Sequence, residues 1–171
     1  GQGGGDADRG GEPEGRRASR RARWRRLLEE DPPPGYGTAA EDAHLRDFTI
    51  NALFYDPVED RIIDYVRGME DLADRLLRTI GDAPSRMAED PVRILRAVKA
   101  AARLDLRIDP ATYEAMRRHR DLLAGCAPRR LLEEILKLFA SGKSARAFEL
   151  MAELGLLEVV LPEVAPFFTP G

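Results

Sequence analysis

Residues 89–110 read EDPVRILRAVKAAARLDLRIDP, and this stretch sets the architecture of the second half of the chain. The dipeptides Asp90-Pro91 and Asp109-Pro110 stand at its two ends. An aspartate that caps a helix whose first residue is proline is a typical helix start. Apolar residues follow the first dipeptide at helical spacing, namely Leu95, Val98, Ala101, Ala102 and Leu104. We therefore expect one helix from Asp90 to Leu104 and another from Asp109.

The helical pattern continues towards the C-terminus. A third helix is expected to begin near Pro128 and to end at Gly142, and a fourth to end at Gly155, since glycine is common just past a helix end. The apolar residues from Leu156 to Leu161 should dock on the preceding helices. The C-terminal half is therefore expected to be a helical bundle.

The residues upstream of Asp90 contain strand signals. Apolar side chains alternate along the segment that includes Phe48, Ile50, Ala52 and Phe54. Asp56-Pro57 then opens a turn, and the apolar pattern resumes at residues 62–65, which predicts a β-hairpin. A short helix around residues 70–76 and an extended segment at 77–80 follow, and only helices are expected beyond. The predicted fold class is mainly α with a small β-hairpin.

Residues 1–35 differ from the rest of the chain in composition. Gly, Arg, Glu, Asp and Pro dominate, and aliphatic residues are almost absent before Leu27. Such a segment cannot bury enough apolar surface to fold, so we expect a disordered charged loop or tail. Its arginines crowd around Trp24, a combination that could attract phosphates and stack a base. A solvated linker is the alternative interpretation.

Composition and charge limit the classes of function. The net charge is −3, so RNA contact requires a local basic patch rather than a uniformly basic surface. Cys126 is the single cysteine, which excludes an internal disulfide, and with two histidines it offers too few ligands for zinc. No apolar run approaches the roughly 20 residues of a membrane span, and no signal-peptide pattern is seen. We expect a cytoplasmic protein with no membrane partner and no disulfide partner.

One acid and two arginines open the first predicted helix. Asp90, Arg93 and Arg96 are spaced by three residues, which places them on one face of its first turns. A carboxylate can accept a hydrogen bond from the amino group of a base, while guanidinium groups donate to ring nitrogens and to phosphate. The group therefore suits a nucleotide at a helix N-terminus. The alternative is a capped helix in which Asp90 pairs with Arg93.

A second charged pair, Arg46-Asp47, stands immediately before the predicted strand. An acidic group in that position could help to bind a metal ion or could orient a hydroxyl. The alternative is a surface ion pair without a chemical role.

These two motifs occur together with others, in the order Tyr36-Gly37-Thr38, Glu41-Asp42-Ala43, Arg46 to Leu53, Asp64-Tyr65, Gly68 to Leu72 and Glu89 to Arg96. In this combination the chain resembles the class II nucleotidyltransferase family, which includes bacterial poly(A) polymerases and tRNA CCA-adding enzymes. The resemblance runs from about Tyr36 to Phe167. It implies template-independent addition of AMP from ATP to RNA 3′ ends, with CCA addition to tRNA as the alternative. A non-catalytic RNA-binding module is the alternative from another class.

The resemblance also implies roles for particular residues. Asp47 would be the acidic residue that supports the catalytic site, and the nucleotide would be bound by Arg46, Asp90, Arg93 and Arg96. Further contacts to phosphate or RNA would come from Glu89 and Lys99. Lys99 stands where an arginine is common in the family, and Leu45 also replaces an arginine. Lysine keeps the positive charge but loses the forked donors of arginine.

The resemblance divides the chain into a disordered loop at residues 1–35, a remnant of the nucleotidyltransferase head at 36–82, and a helical nucleotide- and RNA-binding neck at 83–171. ATP and Mg²⁺ are the implied cofactors, and an RNA 3′ end is the implied partner. The family holds Mg²⁺ on a carboxylate pair upstream of the Tyr36 segment. This chain offers no counterpart, since Asp6-Ala7-Asp8 has no flanking strand to position it. We therefore expect a catalytically incomplete chain without metal ligands of its own.

Overall fold

The computed structural model describes residues 37–168 together with Ala22. The expected loop at residues 1–35, with Trp24 and the Asp6-Ala7-Asp8 triplet, lies outside the described residues except for Ala22. The described chain contributes to two compact units. One unit contains residues 54–63, and the other contains residues 38–53 and 64–168.

Residues 54–63 form most of a β-hairpin. Strand β1 spans Leu53–Asp56 and strand β2 spans Arg61–Asp64. The Asp56 carboxylate closes the turn between them, because it accepts hydrogen bonds from the backbone N–H groups two and three residues further on, at 2.9 and 3.2 Å. The predicted hairpin is therefore confirmed, but its first strand is shorter than predicted.

The residues before β1 do not extend this strand. Thr49–Asn51 form a short 3-10 helix, and Phe48 makes an isolated antiparallel bridge to Thr79. Phe48 is almost completely buried, so core packing holds its side chain. The prediction of a strand beginning at Phe48 was wrong. Phe48 is apolar because its side chain packs in the core, and its position in the alternating pattern does not indicate a strand.

Helices make up most of the larger unit. Their bounds are Ala39–Leu45 (α1), Gly68–Ala73 (α2), Ala83–Glu89 (α3), Arg93–Leu104 (α4), Pro110–His119 (α5), Pro128–Phe139 (α6), Ser144–Glu153 (α7) and Leu157–Val160 (α8). The predicted fold class, mainly α with a small hairpin, is confirmed. The predicted start of α5 is also confirmed, because the Asp109 carboxylate accepts a hydrogen bond from the N–H of Thr112 at 3.1 Å. None of the helices within residues 37–168 has the length and apolarity needed to cross a membrane.

The start of α4 differs from the prediction. Helix α4 begins at Arg93, and Asp90 instead ends α3, a helix within the region expected to be helical for which no bounds were predicted. Proline disfavours helical geometry in the residue before it, so α3 cannot continue through Asp90, whose φ and ψ are −141° and 89°. The Asp90 side chain therefore does not cap α4. Helix α3 has its own cap in Asp82, whose carboxylate accepts a hydrogen bond from the N–H of Ser85 at 3.0 Å.

A short parallel sheet joins two segments that are far apart in the sequence. Strand β3 (Leu76–Leu77) pairs with strand β4 (Arg107–Ile108), with Leu76 opposite Arg107 and Leu77 opposite Ile108. The helix expected around residues 70–76 ends earlier, as α2. The prediction of only helices beyond residue 80 was wrong at β4, because this strand is stabilised by its distant partner rather than by a local pattern.

One hydrophobic core runs through the larger unit. Helix α4 packs against α3, α6, α7 and β3, and it buries Ile94, Leu95 and Val98. The same core contains Phe48, Met87, Met116, Leu138, Met151 and Leu154. Each large apolar side chain buried in this way stabilises the fold by roughly 1.5–3 kcal/mol. Because this packing fixes α4, it also fixes the charged side chains of the first turns of α4.

Candidate functional site

Asp47 lies between α1 and the 3-10 helix that precedes β1. The N–H of Ile80 donates to its backbone carbonyl at 3.1 Å, which holds its backbone. Each oxygen of its carboxylate accepts a hydrogen bond from an arginine of α4. Arg93 Nε lies 2.7 Å from Oδ1, and Arg96 Nη1 lies 2.7 Å from Oδ2. The structure thus brings together residues from two separate sequence motifs.

Arg93 is buried at the start of α4, with only 7% of its side chain exposed. In addition to binding Asp47, it donates from Nη1 to the backbone carbonyl of Arg86 and lies 3.6 Å from a carboxylate oxygen of Glu89. A buried charge needs such partners, because its desolvation is costly. Asp90 lies before the first turn of α4, so it does not lie on the helical face that was expected. Its carboxylate nevertheless binds Arg96, which shares Asp47 with Arg93, so the three residues lie together.

Asp90 binds two arginines. Arg96 Nη2 donates to its Oδ2, and Arg130 Nη2 lies 3.0 and 3.1 Å from Oδ1 and Oδ2. The structure therefore pairs Asp90 with these arginines rather than with Arg93, the partner in the alternative interpretation. Arg130, in the first turn of α6, was not predicted from the sequence. The sequence places Arg130 near a predicted helix start, but the neighbouring residues do not indicate that its side chain turns towards Asp90.

We refer to Asp47, Arg93, Arg96, Asp90 and Arg130 as the Asp47–Asp90 network. Its solvent-facing end consists of Asp90, Arg96 and Arg130, whose side chains are 20%, 30% and 54% exposed. With three guanidinium groups and two carboxylates, the network carries an excess of positive charge. Its exposed end can offer an acceptor and forked donors to the edge of a base, and positive charge to a phosphate.

The other predicted site residues have ion-pair partners of their own. Arg46 pairs with Asp42 on the surface of α1, with a distance of 2.6 Å from Nη2 to Oδ2, so it does not pair with Asp47. Glu89 accepts a hydrogen bond from Arg86 at 3.0 Å and is largely exposed. Lys99, one turn after Arg96, is held by Glu134. The structure therefore places Glu89 beside Arg93 but gives Arg46 and Lys99 separate partners.

Glu134 fixes the position of Lys99. Its carboxylate accepts hydrogen bonds from Lys99 Nζ at 2.7 Å and from Lys137 Nζ at 2.8 Å. Burial alone would raise the pKa of Glu134, but the hydrogen bonds and charges of Lys137 and Lys99 outweigh it and hold the pKa below its ordinary value. Glu134 is therefore ionised at neutral pH, and it anchors the Lys99 ammonium group against α6.

The described residues do not fit a Mg²⁺ ion. Within residues 37–168, no group of three His, Cys, Asp or Glu side chains is arranged so that it could hold a metal ion. Both carboxylate oxygens of Asp47 face guanidinium groups, as do both oxygens of Asp90. Mg²⁺ prefers carboxylate oxygens together with water and substrate phosphates, and the guanidinium groups occupy the carboxylates of both aspartates.

Comparisons with known proteins match two regions of the chain. The family model described as "Poly A polymerase head domain" matches residues 12–78, and the one described as "Probable RNA and SrmB- binding site of polymerase A" matches residues 105–168. Poly(A) polymerase I of Escherichia coli is 44% identical over 134 residues, which cover 78% of this chain and 29% of that enzyme. This chain belongs to the class II nucleotidyltransferase family.

Solved structures of a CCA-adding enzyme and of a tRNA nucleotidyltransferase have the same fold over the matched region. The crystal structure of the Bacillus stearothermophilus CCA-adding enzyme in complex with CTP matches with a TM-score of 0.64 and 37% identity, over 71% of this chain and 30% of that one. A tRNA nucleotidyltransferase complexed with a primer tRNA and an incoming ATP analog gives a TM-score of 0.69 and 30% identity, over 81% of this chain and 42% of that one. The family resemblance seen in the sequence is confirmed. The chain spans less than a third of the length of the Escherichia coli relative, at 29%.

Proposed function

We propose that this chain is the nucleotide- and RNA-contacting part of a template-independent RNA nucleotidyltransferase that adds AMP from ATP to RNA 3′ ends. The observation that supports the proposal is the Asp47–Asp90 network, which gathers carboxylates and arginines from three separate segments. The name of the relative, Poly(A) polymerase I, favours adenylate addition. We also propose that the protein is cytoplasmic.

In this proposal the exposed end of the network binds the nucleotide. Asp90 accepts a hydrogen bond from the amino group of adenine, and Arg96 and Arg130 donate to the base edge and to phosphate. Charge stabilisation and positioning are what transfer of a nucleotidyl group demands of a protein. These three side chains supply both, because they are anchored to one another and still reach solvent.

The buried end of the network positions this surface. Asp47 orients Arg93 and Arg96, and its direct participation in catalysis stays a prediction, as does direct binding of the nucleotide by Arg93. Contacts of Arg46 with the nucleotide, and of Glu89 and Lys99 with phosphate or RNA, also stay predictions. Lys99 would have to leave its pair with Glu134 to reach phosphate. We therefore expect Lys99 to contribute less to phosphate or RNA binding than Arg96 and Arg130.

ATP binding by the chain tests the proposal. We expect ATP to shift the NMR signals of Asp90, Arg96 and Arg130. We also expect Asp90→Asn to weaken binding about tenfold, because it replaces a charged acceptor, whose hydrogen bond is worth roughly 1.5–3 kcal/mol, with a neutral one worth roughly 0.5–1.5 kcal/mol. Asp105→Asn is the matched control, since Asp105 also pairs with an arginine, Arg75, but lies outside the network. Equal affinity for ATP in the two variants would contradict the proposal.

CCA addition is the second candidate, because a CCA-adding enzyme in complex with CTP is 37% identical over the matched region. ATP and CTP differ at the base edge that Asp90 and Arg96 are proposed to contact. Parallel titrations with the two nucleotides distinguish the candidates. Preference for ATP supports adenylate addition, and comparable affinities support CCA addition.

We further propose that the chain alone does not catalyse nucleotide incorporation. The support is the resemblance, which places the family's Mg²⁺ carboxylates upstream of the Tyr36 segment. Incubation with ATP, Mg²⁺ and an RNA primer should give no extension, with Poly(A) polymerase I of Escherichia coli as the positive control. Robust extension would refute this part. RNA binding without any response of the network to ATP would instead favour a non-catalytic RNA-binding module.

A further inference from the structure

Arg86 contacts the Asp47–Asp90 network without belonging to it. Its Nη2 donates to the backbone carbonyls of Leu45 and Arg46, at 3.1 and 3.0 Å. Its own backbone carbonyl accepts a hydrogen bond from Arg93 Nη1. One residue of α3 thus holds the backbone immediately before Asp47 and also binds the buried arginine that pairs with Asp47.

The two carbonyls that Arg86 binds lie where α1 ends, and Arg46 is the C-cap of that helix. Carbonyls at a helix C-terminus lack partners within the helix, and the helix dipole favours a cation there. Arg86 therefore fixes the point at which the chain leaves α1. Asp47 is the next residue, and the N–H of Ile80 holds its carbonyl from the other side.

Arg86 occupies this place at a cost. Its side chain is 19% exposed, and its buried Nε has no hydrogen-bond partner among the described residues. A buried donor without a partner is unfavourable, so the bonds from the two Nη atoms have to outweigh it. Nη1 binds Glu89, which is largely exposed, whereas Nη2 binds the two carbonyls. The position of Arg86 is therefore set by its link to the segment before Asp47.

We propose that Arg86 is a positioning residue, which holds residues 45–46 so that the Asp47 carboxylate meets Arg93 and Arg96. Its effect on nucleotide binding rests on the proposed function, whereas its effect on the pairing of Asp47 does not. If Arg86 were only a helix cap, its substitution would change the free energy of unfolding and nothing else. Substitution of a positioning residue also weakens the hydrogen bond between Arg93 and Asp47 in the protein that remains folded.

The Nε–H proton of Arg93 reports this hydrogen bond by NMR. A 2.7 Å hydrogen bond to a carboxylate protects the proton from exchange with solvent. In folded Arg86→Gln we expect exchange about tenfold faster than in the original chain, the factor that loss of about one net hydrogen bond produces. Arg86→Lys keeps the charge but not the fork of donors, so it should restore part of the protection.

Arg75→Gln is the matched control. Arg75 also donates from Nη2 to a backbone carbonyl, that of Asp105, at 2.8 Å, but it lies outside the network. Its substitution should leave the exchange of the Arg93 proton unchanged. Unchanged exchange in folded Arg86→Gln overturns the proposal. If Arg86→Gln does not fold, Arg86→Lys is measured in its place, and full protection of the Arg93 proton there overturns the proposal equally.

ATP titration of the same variants separates this inference from the proposed function. We expect Arg86→Gln to weaken ATP binding about fivefold, as partial loss of one hydrogen-bonded arrangement would, and Arg75→Gln to have no effect. An original chain that binds no ATP would contradict the proposed function, while faster exchange of the Arg93 proton would still support the role of Arg86. If the original chain binds ATP and the exchange rate of the Arg93 Nε–H proton is unchanged in Arg86→Gln, only the role of Arg86 is overturned.

Discussion

Asp42 and Asp47 lie close together in the sequence, and the structure uses their charges in different ways. Asp42 pairs with Arg46 where the two side chains are 44% and 50% exposed, and such surface pairs contribute about 0–1 kcal/mol. Asp47 instead neutralises the buried Arg93. Removal of one partner from a buried pair typically costs about 3–5 kcal/mol, and the remaining carboxylate near Arg93, that of Glu89, is largely exposed and 3.6 Å away. At the scale of single residues, burial therefore decides what each aspartate contributes.

We predict that Asp47→Ala lowers the free energy of unfolding by about 3–5 kcal/mol and that Asp42→Ala lowers it by less than about 1 kcal/mol. Urea denaturation followed by circular dichroism measures both. Adding Arg93→Met to Asp47→Ala removes the stranded charge, so the double variant should be more stable than Asp47→Ala alone. Similar losses of unfolding free energy in Asp47→Ala and Asp42→Ala would show that the pair of Arg93 and Asp47 is solvated and not buried.

Glu134 couples stability to pH. Because the folded chain lowers the pKa of Glu134, the unfolded chain binds the proton more readily. The stability that Glu134 contributes is therefore present above its ordinary pKa of 4.5, which it has in the unfolded chain, and is lost as the pH falls through the lower folded pKa.

We predict that Glu134→Gln destabilises the chain at pH 7 but loses less additional stability on acidification than the original chain does. The free energy of unfolding, measured in urea at pH 7 and below about pH 4, gives the comparison. Glu133→Gln is the control, because Glu133 forms an exposed pair with Arg129. A loss on acidification that is as large in Glu134→Gln as in the original chain would rule out this linkage.

At the scale of elements, the approach of α2 to the 3-10 helix before β1 depends on Gly68. A Cβ atom at Gly68 would lie 2.2 Å from the backbone carbonyl oxygen of Thr49, which leaves no room for a side chain. The Asp64 carboxylate holds this end of α2, because it accepts hydrogen bonds from the N–H groups of Gly68 and Met69 at 3.0 and 2.9 Å. The backbone at Gly68 therefore cannot move away without loss of these bonds.

We predict that Gly68→Ala lowers the free energy of unfolding by about 1–3 kcal/mol, as overpacking against backbone does. Gly125→Ala should change it by no more than about 0.5 kcal/mol, because no atom lies within 4 Å of a Cβ built there. The midpoints of thermal unfolding, measured for the two variants under the same conditions, test this prediction. Equal midpoints would mean that α2 can shift away from Thr49 at little cost.

The two Asp-Pro dipeptides show how far local patterns predict the elements. Asp109 caps a helix as predicted, whereas Asp90 ends α3, whose bounds were not predicted, and binds Arg130, forty residues further along the chain. The dipeptide shows that a helix ends or begins nearby, but it does not show whether the carboxylate finds a backbone N–H or a distant cation. Strand β4 was unpredictable for the same reason, since its partner β3 is far away in the sequence.

At the scale of the whole chain, both the core and the candidate site join segments from the two sides of the boundary predicted between residues 82 and 83. Phe48 and Leu154 belong to one core, and Asp47 binds arginines of α4. The residue types of the site could be predicted because they occur in motifs. The burial of Arg93 could not, because it depends on where α4 begins and on what packs around it. The boundary itself stays a prediction.

Cooperative unfolding of the larger unit follows from its continuous core. We predict that Phe48→Ala and Leu154→Ala each cost about 2–5 kcal/mol and that both lower the stability of the entire unit, because each leaves a cavity in the same core. Hydrogen exchange, measured by mass spectrometry in low concentrations of denaturant, compares the protection of residues 38–53 with that of α7. Both regions should lose protection equally in both variants. If Phe48→Ala exposed only the residues before 83 and Leu154→Ala only the helices after them, the predicted boundary would separate two independent folding units, and the site would be an interface between them.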